Sequence, residues 1–330
     1  MLTKKQNLLE TIHGGKPDRF VNQFEAFKLL GGSPFAVHNP RPMRPGELDK
    51  VNAWGITFSW PAGLPGGFPV HDEEHIVCKD ITKWREYVHA PNIVFSPEEW
   101  APFVKEAEAV DRNEYFATPF VAPGLFEQCH HLMSIEEALI NFYDEPECMH
   151  ELIDYLTEWE LQYAEELCKY LKPDALFHHD DWGSQKSTFI SPDMFKEFFL
   201  PAYKKVYGRY RDLGVKLIVH HSDSYAATLV PYMIEMGVDV WQGVMTSNNI
   251  PELIKKYGGQ ISFMGGIDSA AVDFPGWTRE AIRSEVKRAC DENGKLYYIP
   301  NATQGLNIST FEGVYETVSE EIDKYSKEVF

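Results

Sequence analysis

The stretch that decides the fold is a short apolar strand with a polar end, Val215-Lys-Leu-Ile-Val-His220-His221-Ser-Asp223-Ser224. Side chains alternate along a strand, so His221 and Asp223 share one face while His220 points to the other. In an α/β barrel, catalytic groups lie at the carboxyl ends of the strands. An imidazole and a carboxylate that arrive together at such an end are therefore candidates for a functional site.

Helical sequence precedes this strand, and the alternation of helix and strand recurs along the chain. Ser191-Pro192 predicts the start of a helix. Ser191 is a suitable N-cap, and Pro192 stands at the first helical position, where an N–H would have no partner within the helix. Gly214 ends that helix. The predicted strands are Arg19–Phe27, Tyr115–Val121, Asp174–Asp180, Val215–His221, Val238–Val244, Ile261–Gly266 and Leu296–Pro300, with an eighth near Gly55–Trp60. This order is typical of βαβ units, so we predict a single (β/α)8 barrel, a TIM barrel, over residues 1–330.

The region from about residue 31 to 110 interrupts the regular pattern. It is rich in proline, glycine and aromatic residues, most densely between 31 and 67. A long irregular excursion inside a compact domain is usually either a functional cover or disordered. Because of its aromatic content, we predict an ordered insertion that covers the mouth of the barrel.

Composition narrows the classes of function. A formal charge of -19 disfavours nucleic acid and anionic membranes as partners, because phosphate contacts need lysine and arginine. No apolar run is long enough for a transmembrane helix and the first residues do not resemble a signal peptide, so we expect a cytoplasmic protein. The five cysteines are scattered without a CxxC pair, which argues against a disulfide framework and a structural zinc knuckle.

The strand end at His221 and Asp223 has two chemical interpretations. A histidine and an aspartate two residues apart on a strand can bind one Zn²⁺, or they can act as an oriented acid/base pair. Two polar residues that only hydrogen-bond a loop would show the same spacing. From the residues alone, these interpretations stay open.

A second polar cluster ends the preceding strand, His178-His179-Asp180-Asp181-Trp-Gly-Ser-Gln185. Alternation puts His179 and Asp181 on one face, and it puts His178 and Asp180 on the other. Adjacent carboxylates repel each other unless a cation or a hydrogen-bond donor satisfies them. We therefore expect at least one of the two aspartates to be functional; the alternative is that one of them caps a turn or a helix.

Three further strand ends could contribute to the same mouth. Gly265 and Gly266 would let the backbone approach a ligand closely, although a plain tight turn is equally consistent. Asn301 offers an amide group. Glu25 ends the first predicted strand and could project its carboxylate inward.

The order of these motifs resembles the uroporphyrinogen decarboxylase superfamily along nearly the whole chain, and it is most similar to the branch of cobamide-dependent methyltransferases. The motifs that carry the resemblance are Gly15-Lys-Pro17-Asp18-Arg19, Asp180-Asp181-Trp-Gly-Ser-Gln185, Ile190-Ser-Pro192-Asp-Met-Phe-Lys-Glu-Phe198, His221-Ser-Asp223 and Gly265-Gly-Ile-Asp268. The fold that the resemblance implies is a uroporphyrinogen decarboxylase-like barrel.

The resemblance also implies a metal. In the methylcobamide:thiol methyltransferases of the superfamily, zinc is held by a His-x-Cys motif and a later cysteine. Here His221 takes the position of the histidine and Asp223 that of the first cysteine, while Ala302 lies near the position of the later one. Zinc on His221 and Asp223 would then need a third ligand. The candidates for it are Asp181, Asp180 and Glu25.

The activity implied by the resemblance is that of an O-demethylase-like methyltransferase. Such an enzyme moves a methyl group from a methoxylated, aromatic small molecule to the Co(I) of a corrinoid, or cobalamin, carried on a partner protein; a homodimer is consistent with it. The residues expected to be catalytic are Asp181, Asp180, Glu25 and Gln185. The residues expected to contact the cofactor are Gly265, Gly266 and Asn301.

Other activities on the same fold remain alternatives. One is a decarboxylase or lyase that needs no corrinoid. Uroporphyrinogen itself is disfavoured as a substrate, because the segment Phe20–Phe27 is acidic and aromatic where that enzyme has basic residues for the carboxylates. Another alternative is a non-catalytic binding subunit of a corrinoid system.

Overall fold

The structure, a computed structural model, describes residues 1–64, 66–303 and 307–330; Pro65, inside the predicted insertion, lies outside these ranges. The strands are β1 (Phe27–Leu30), β2 (Lys50–Val51), β3 (Thr57–Ser59), β4 (Phe68–Pro69), β5 (Phe116–Val121), β6 (Ala175–His179), β7 (Leu217–His221), β8 (Val240–Val244), β9 (Ser262–Ile267) and β10 (Tyr298–Ala302). The helices are α1 (Lys4–Ile12), α2 (Pro34–His38), α3 (Trp84–Tyr87), α4 (Pro97–Glu108), α5 (Leu125–Met133), α6 (Ile135–Asp144), α7 (Pro146–Leu171), α8 (Pro192–Met194), α9 (Leu200–Asp212), α10 (Val230–Glu235), α11 (Ile250–Tyr257), α12 (Ser269–Val272), α13 (Arg279–Asn293) and α14 (Val314–Val329). None of the described helices is both long enough and apolar enough to cross a membrane.

Seven of the described strands form one curled parallel sheet in the order β1, β5, β6, β7, β8, β9, β10. Helices connect successive strands of this sheet from β5 onward, as parallel pairing requires. The backbone N–H of Gln23 donates to the carbonyl of Pro300 at 3.2 Å, so the segment before β1 meets β10 across the remaining gap. The predicted (β/α)8-type fold is confirmed.

The predicted first strand, Arg19–Phe27, is wrong. Gln23 has a φ of 51° and the N–H of Phe27 donates to the carbonyl of Phe24, so the chain turns here instead of extending. Pairing with β5 begins only at Phe27. The apolar residues that suggested a strand are buried for another reason: Phe24, for example, packs against the ring of Phe177 inside the barrel, with ring centroids 5.7 Å apart.

The predicted eighth strand near Gly55–Trp60 contains β3, but β3 does not belong to the barrel. It pairs antiparallel with β2 and with β4 in a separate three-stranded sheet. A local apolar pattern identifies a strand without identifying the sheet that the strand joins.

The predicted insertion between residues 31 and 110 is folded onto α7. Besides the small sheet, it contains α2, α3 and α4. The rings of Trp54 and Trp159 lie 5.1 Å apart, and Trp100 stacks on Tyr170 at 4.7 Å. Because aromatic side chains bury large areas, these contacts attach the insertion firmly to the α7 side of the barrel.

One long helical segment, from Pro192 to Asp212, packs behind β6 and β7. Ser191 caps it, its Oγ accepting a hydrogen bond from the N–H of Met194 at 3.2 Å. Between α8 and α9 the segment contains a π-helical turn, Phe195–Phe199, a feature often found near functional sites. Its buried face brings the hydroxyls of Tyr203 and Tyr207 to the two strands.

Candidate functional site

A polar cluster lies at the carboxyl ends of β6 and β7 and consists of His179, Asp181, His221 and Asp223. His179 and His221 are paired across the two strands, and their rings stack with centroids 4.4 Å apart. The Nε2 atoms of both rings lie 3.8 Å from oxygens of Asp181. The backbone N–H of Asp223 donates to Asp181 Oδ1 at 3.0 Å. Alternation along the strands therefore brings the predicted residues of one face together.

His221 is held by a chain of side-chain amides. Its Nδ1 lies 2.5 Å from Gln242 Oε1, Gln242 Nε2 donates to Asn301 Oδ1 at 2.8 Å, and Asn301 Nδ2 is 3.4 Å from Gln23 Oε1. With Gln242 in this orientation, Nδ1 of His221 is the protonated nitrogen and Nε2 keeps its lone pair. Burial and the neighbouring His179 lower the pKa of His221 to about 4, so the ring is neutral at neutral pH.

His179 has the opposite charge state. Its Nδ1 lies 2.8 Å from a carboxylate oxygen of Glu127, which projects from α5. Burial disfavours the charged ring, but the charges of Glu127 and Asp181 outweigh it and raise the pKa of His179 to about 10. An imidazolium and a neutral imidazole thus stand face to face.

Asp223 is a group that titrates near neutral pH. Its side chain is accessible to solvent, yet the surrounding protein desolvates the carboxylate. This desolvation and the negative charge of Asp181 raise the pKa of Asp223 to about 7. Asp223 can therefore hold or release a proton in the cluster at physiological pH.

Asp180 does not join this cluster, because it anchors α5. It is fully buried and accepts hydrogen bonds from the backbone N–H groups of Phe126 at 3.0 Å and Glu127 at 2.8 Å, from the indole of Trp182 at 2.9 Å and from the hydroxyl of Tyr203. The first amides of a helix lack partners within the helix, and a carboxylate is a suitable cap for them. The alternative that one aspartate caps a helix therefore describes Asp180, which positions Glu127.

Gly124 explains why this cap can form. A Cβ at position 124 would lie 2.4 Å from the Cβ of Asp180 and 2.5 Å from the hydroxyl of Tyr203. That hydroxyl also accepts the N–H of Leu125 at 2.9 Å. A residue without a side chain is needed where α5 meets the end of β6.

The inward-pointing Glu25 that we predicted is not found. Its Oε1 accepts the backbone N–H of Asn22 at 3.1 Å and lies 3.7 Å from Nε of Arg19. The charges of Lys4 and Asp323 act on it as well, which places it among α1, α14 and the segment before β1. The turn at Gln23 is the physical reason, because residues 19–26 are not a strand and have no carboxyl end in the barrel mouth.

Gln185 is exposed in a loop that a bridge between Gly183 and Thr188 closes. The loop follows β6 directly and its Ser184 carbonyl accepts the N–H of Tyr225, so it stands beside the loop that carries Asp223. The structure shows no side-chain contact from Gln185 to the cluster within the described ranges.

The two glycines of β9 have a packing role, and their contact with a cofactor stays a prediction. A Cβ at Gly265 would lie 2.3 Å from the carbonyl oxygen of Val244, at an irregularity in the pairing of β8 and β9. Gly266 has a φ of 77° and is as fully buried as its neighbours. The backbone approach is therefore to another strand. Asn301 is likewise buried, as a member of the amide chain.

Glu127, Gln242 and the role of Asn301 were not identified from the sequence. Glu127 comes from a helix 52 positions before His179, and Gln242 lies 21 positions after His221. Gln242 does sit at the end of a predicted strand, which is the one signal that could have suggested it.

An apolar cavity of about 780 Å³ lies between β5, α7 and the insertion, and none of the four cluster residues is among the described residues that line it. Aromatic and aliphatic side chains from the insertion, β5 and α7 line it, among them Phe35, Trp54, Phe120, Leu156, Trp159 and Tyr163. The ring of Phe120 lies 6.1 Å from that of His179, so one side chain separates the cavity from the cluster. Such a volume suits a small organic ligand.

Comparison with solved structures supports the fold. A methyltransferase from Methanosarcina mazei superposes with a TM-score of 0.67 over 98% of this chain and 99% of that one, at 15% sequence identity. At this identity the similarity concerns the fold alone.

Sequence comparison gives the family. Uroporphyrinogen decarboxylase 2, chloroplastic, from Oryza sativa subsp. japonica is 23% identical over 230 residues, and uroporphyrinogen decarboxylase from Carboxydothermus hydrogenoformans is 25% identical over 237 residues. Each alignment covers 66% of this chain, but it spans only 56% and 62% of the two relatives. Residues 122–325, more than half of the chain, match the family described as uroporphyrinogen decarboxylase (URO-D). The chain belongs to the uroporphyrinogen decarboxylase (URO-D) family.

Proposed function

We propose that this chain is a corrinoid-dependent methyltransferase, which takes a methyl group from a methoxylated, aromatic small molecule and passes it to the Co(I) of a corrinoid on a separate protein. The observation that carries the proposal is the cluster of His179, Asp181 and His221, which the ring of Phe120 separates from an aromatic cavity. The similarity of the described fold to a methyltransferase is compatible with it.

The reaction sets two chemical demands. An alkoxide or phenoxide is a poor leaving group, so a Lewis acid or a proton must neutralise the ether oxygen as its bond to the methyl carbon breaks. The methyl donor also needs a site that excludes water. The polar cluster can supply the Lewis acid or the proton, and the apolar cavity lined by Phe120, Trp54 and Trp159 can exclude water.

The donor set of the cluster fits a zinc ion once Nε2 of His179 has released its proton, as metal binding requires. One ligand atom from each of His179, Asp181 and His221 lies within 4.8 Å of the others, and the free Nε2 of His221 is the kind of nitrogen that zinc binds. The hydrogen bond that Nδ1 of His221 donates to Oε1 of Gln242 fixes the imidazole, as an outer contact does in metal sites. Asp223 is not among these three ligands; it contacts Asp181 through its backbone N–H at 3.0 Å, and its carboxyl group stays available to carry a proton. When bound, zinc would act as a Lewis acid on the ether oxygen.

The residues of the chain have distinct tasks in this proposal. Glu127 orients His179, and Gln242 holds the ring of His221. Asp223, with a pKa of about 7, gives its proton to the leaving oxygen as the C–O bond breaks, and it takes a proton back from solvent afterwards. The cavity binds the aromatic body of the donor.

A spectroscopic assay tests the proposal. Purified protein is incubated with cob(I)alamin and a panel of methoxylated aromatics, with methylamines as the comparison donors. We expect methylcobalamin to form with at least one methoxylated aromatic, and the His221→Ala variant to lose this activity. No methylcobalamin with any methoxylated donor would contradict the proposal.

A decarboxylase or lyase is the second candidate function, because the matched relatives are named uroporphyrinogen decarboxylases. The segment Phe20–Phe27, acidic and aromatic, argues against a polycarboxylate substrate. Release of CO2 from a carboxylated substrate without any corrinoid would favour this candidate over methyl transfer.

A further inference from the structure

A second group of potential metal ligands lies on helix α5, outside the cluster at β6 and β7. It consists of Glu127, His130 and His131. Residues three and four positions apart lie on the same face of a helix, so both imidazoles stand next to the carboxylate. One potential ligand atom from each residue lies within 4.8 Å of the others.

Both imidazoles are uncommitted. Within the described ranges, neither ring makes a hydrogen bond to another residue, and Nδ1 of His131 is buried without a partner. His131 is only 7% exposed, so the missing partner is costly.

Aromatic rings hold the two histidines in place. Phe126 packs against His130 with ring centroids 5.3 Å apart, and Phe58 of the small sheet packs edge-on against His131 at 5.5 Å. His71, also from the insertion, places its Nε2 3.3 Å from the backbone carbonyl of His131. The insertion therefore covers this face of α5.

Two charged neighbours, His179 and Arg41, act on the group. Oε2 of Glu127 already contacts Nδ1 of His179 at 2.8 Å, so this carboxylate faces both clusters. The guanidinium of Arg41 stacks on Phe58 at 4.5 Å, and its positive charge acts on Glu127 and His131. Arg41 thus opposes a cation at α5 by Coulomb repulsion.

We propose that Glu127, His130 and His131 form a second metal site, which takes a divalent transition metal with zinc as its representative. Two imidazoles and one carboxylate are a ligand set that binds such ions and leaves coordination positions open. The inference rests on the geometry of α5 and does not depend on methyl transfer by the first cluster.

Zinc stoichiometry tests this site in the full-length protein. Metal-free protein is titrated with Zn²⁺ by calorimetry, and the zinc retained after desalting is measured by elemental analysis. We expect two zinc ions per chain for the wild type, one for His130→Ala, one for His221→Ala and none for the double variant. His89→Ala, which alters an exposed histidine of neither group, should retain two.

Two further variants complete the test. The first separates loss of the ion from loss of the fold, and the second changes the charge beside the site. His131→Asn, checked by circular dichroism and thermal melting, should lose the same single ion as His130→Ala. Arg41→Met removes the opposing charge and should tighten binding of the ion that His130→Ala loses, without changing the stoichiometry.

The outcomes separate the two metal proposals. If wild type and His130→Ala retain the same number of zinc ions with the same affinities, the α5 site is overturned. If the wild type retains one ion that His130→Ala loses and His221→Ala keeps, the α5 site stands while zinc in the first cluster fails. If the wild type retains none, both fail.

Discussion

Two pairs of adjacent histidines, His178-His179 on β6 and His220-His221 on β7, show how one step along a strand changes the role of an imidazole. His220 has both nitrogens engaged, Nδ1 with the hydroxyl of Tyr207 at 2.7 Å and Nε2 with the carbonyl of Asp180 at 3.2 Å. In His221 only Nδ1 is engaged, and Nε2 faces Asp181 at 3.8 Å. The ring with a free nitrogen can do chemistry, whereas the saturated ring can only hold the fold.

The same contrast holds on β6. His178 contacts Tyr207 at 3.2 Å through Nδ1 and is bonded to the buried Glu160 through Nε2. His179 uses Nδ1 for Glu127 and keeps Nε2 toward Asp181. Adjacent histidines therefore differ in whether both ring nitrogens are hydrogen-bonded or one remains available.

The largest expected effect is the loss of activity in His221→Ala. General acid/base or metal-assisted contributions of one group are worth about 10²- to 10⁴-fold in rate, so we expect methylcobalamin formation to fall by that factor. The rate is measured at saturating donor, with circular dichroism as the check on folding. A loss smaller than about 3-fold, far below that range, would show that His221 takes no part in the reaction.

Gln242→Leu should have the next largest effect. It removes the hydrogen bond that fixes the ring of His221 but leaves all cluster residues in place. Loss of such an outer contact costs about 10- to 100-fold in metal affinity, which a zinc titration measures. Asn301→Leu, one contact further along the amide chain, is the matched control and should weaken zinc binding less. Equal affinity in Gln242→Leu and wild type would contradict this role.

Tyr207→Phe tests the saturated face. It leaves His220 and His178 without their common hydroxyl partner, so the free energy of unfolding should fall by about 1–3 kcal/mol while kcat is unchanged. Tyr210→Phe is the matched control, because the buried hydroxyl of Tyr210 has no hydrogen-bond partner among the residues that the structure describes, and its removal should cost nothing. Urea unfolding of both variants gives the comparison. A reduced kcat in Tyr207→Phe with no change in the free energy of unfolding would show that this face acts in catalysis and does not stabilise the fold.

The smallest effect concerns the pH dependence of stability in metal-free Asp223→Asn. The pKa of Asp223 is raised to about 7 in the folded protein, so the folded state binds this proton more tightly than the unfolded state. Stability from this group is present at low pH and is lost as the pH rises from about 4 through about 7. The variant should therefore be the more stable protein at pH 8, and its advantage should shrink toward pH 5. If the melting temperatures of the variant and the wild type differ by the same amount at every pH in this range, the raised pKa of Asp223 is refuted.

Much of the barrel and one face of the site follow from local patterns. Alternation along β6 and β7 predicts that His179, Asp181, His221 and Asp223 share a face, because the side-chain period of a strand is two. It also predicts that His220 points away. The helical start at Ser191 and the strands from β5 to β10 follow from capping and apolar runs in the same way.

What the sequence hides is convergence between distant segments. Glu127 reaches His179 only because Asp180 and Tyr203 hold the start of α5, and no local pattern encodes that contact. Gln23 adopts a left-handed conformation that no apolar count anticipates, and the inward Glu25 was lost with it. Gly265 shows the same limit, because the atoms that leave no room for a Cβ there belong to Val244 of β8.

The amide chain from His221 ends where the barrel is joined. Gln23 Nε2 donates to Ser319 Oγ of α14 at 2.7 Å, and the backbone of the same residue bonds to β10. The hydrogen bonds that join Gln23 to β10 and α14 therefore also hold the amide chain that sets which nitrogen of His221 carries the proton. Loss of these hydrogen bonds would free the ring of His221 to rotate before the sheet itself came apart.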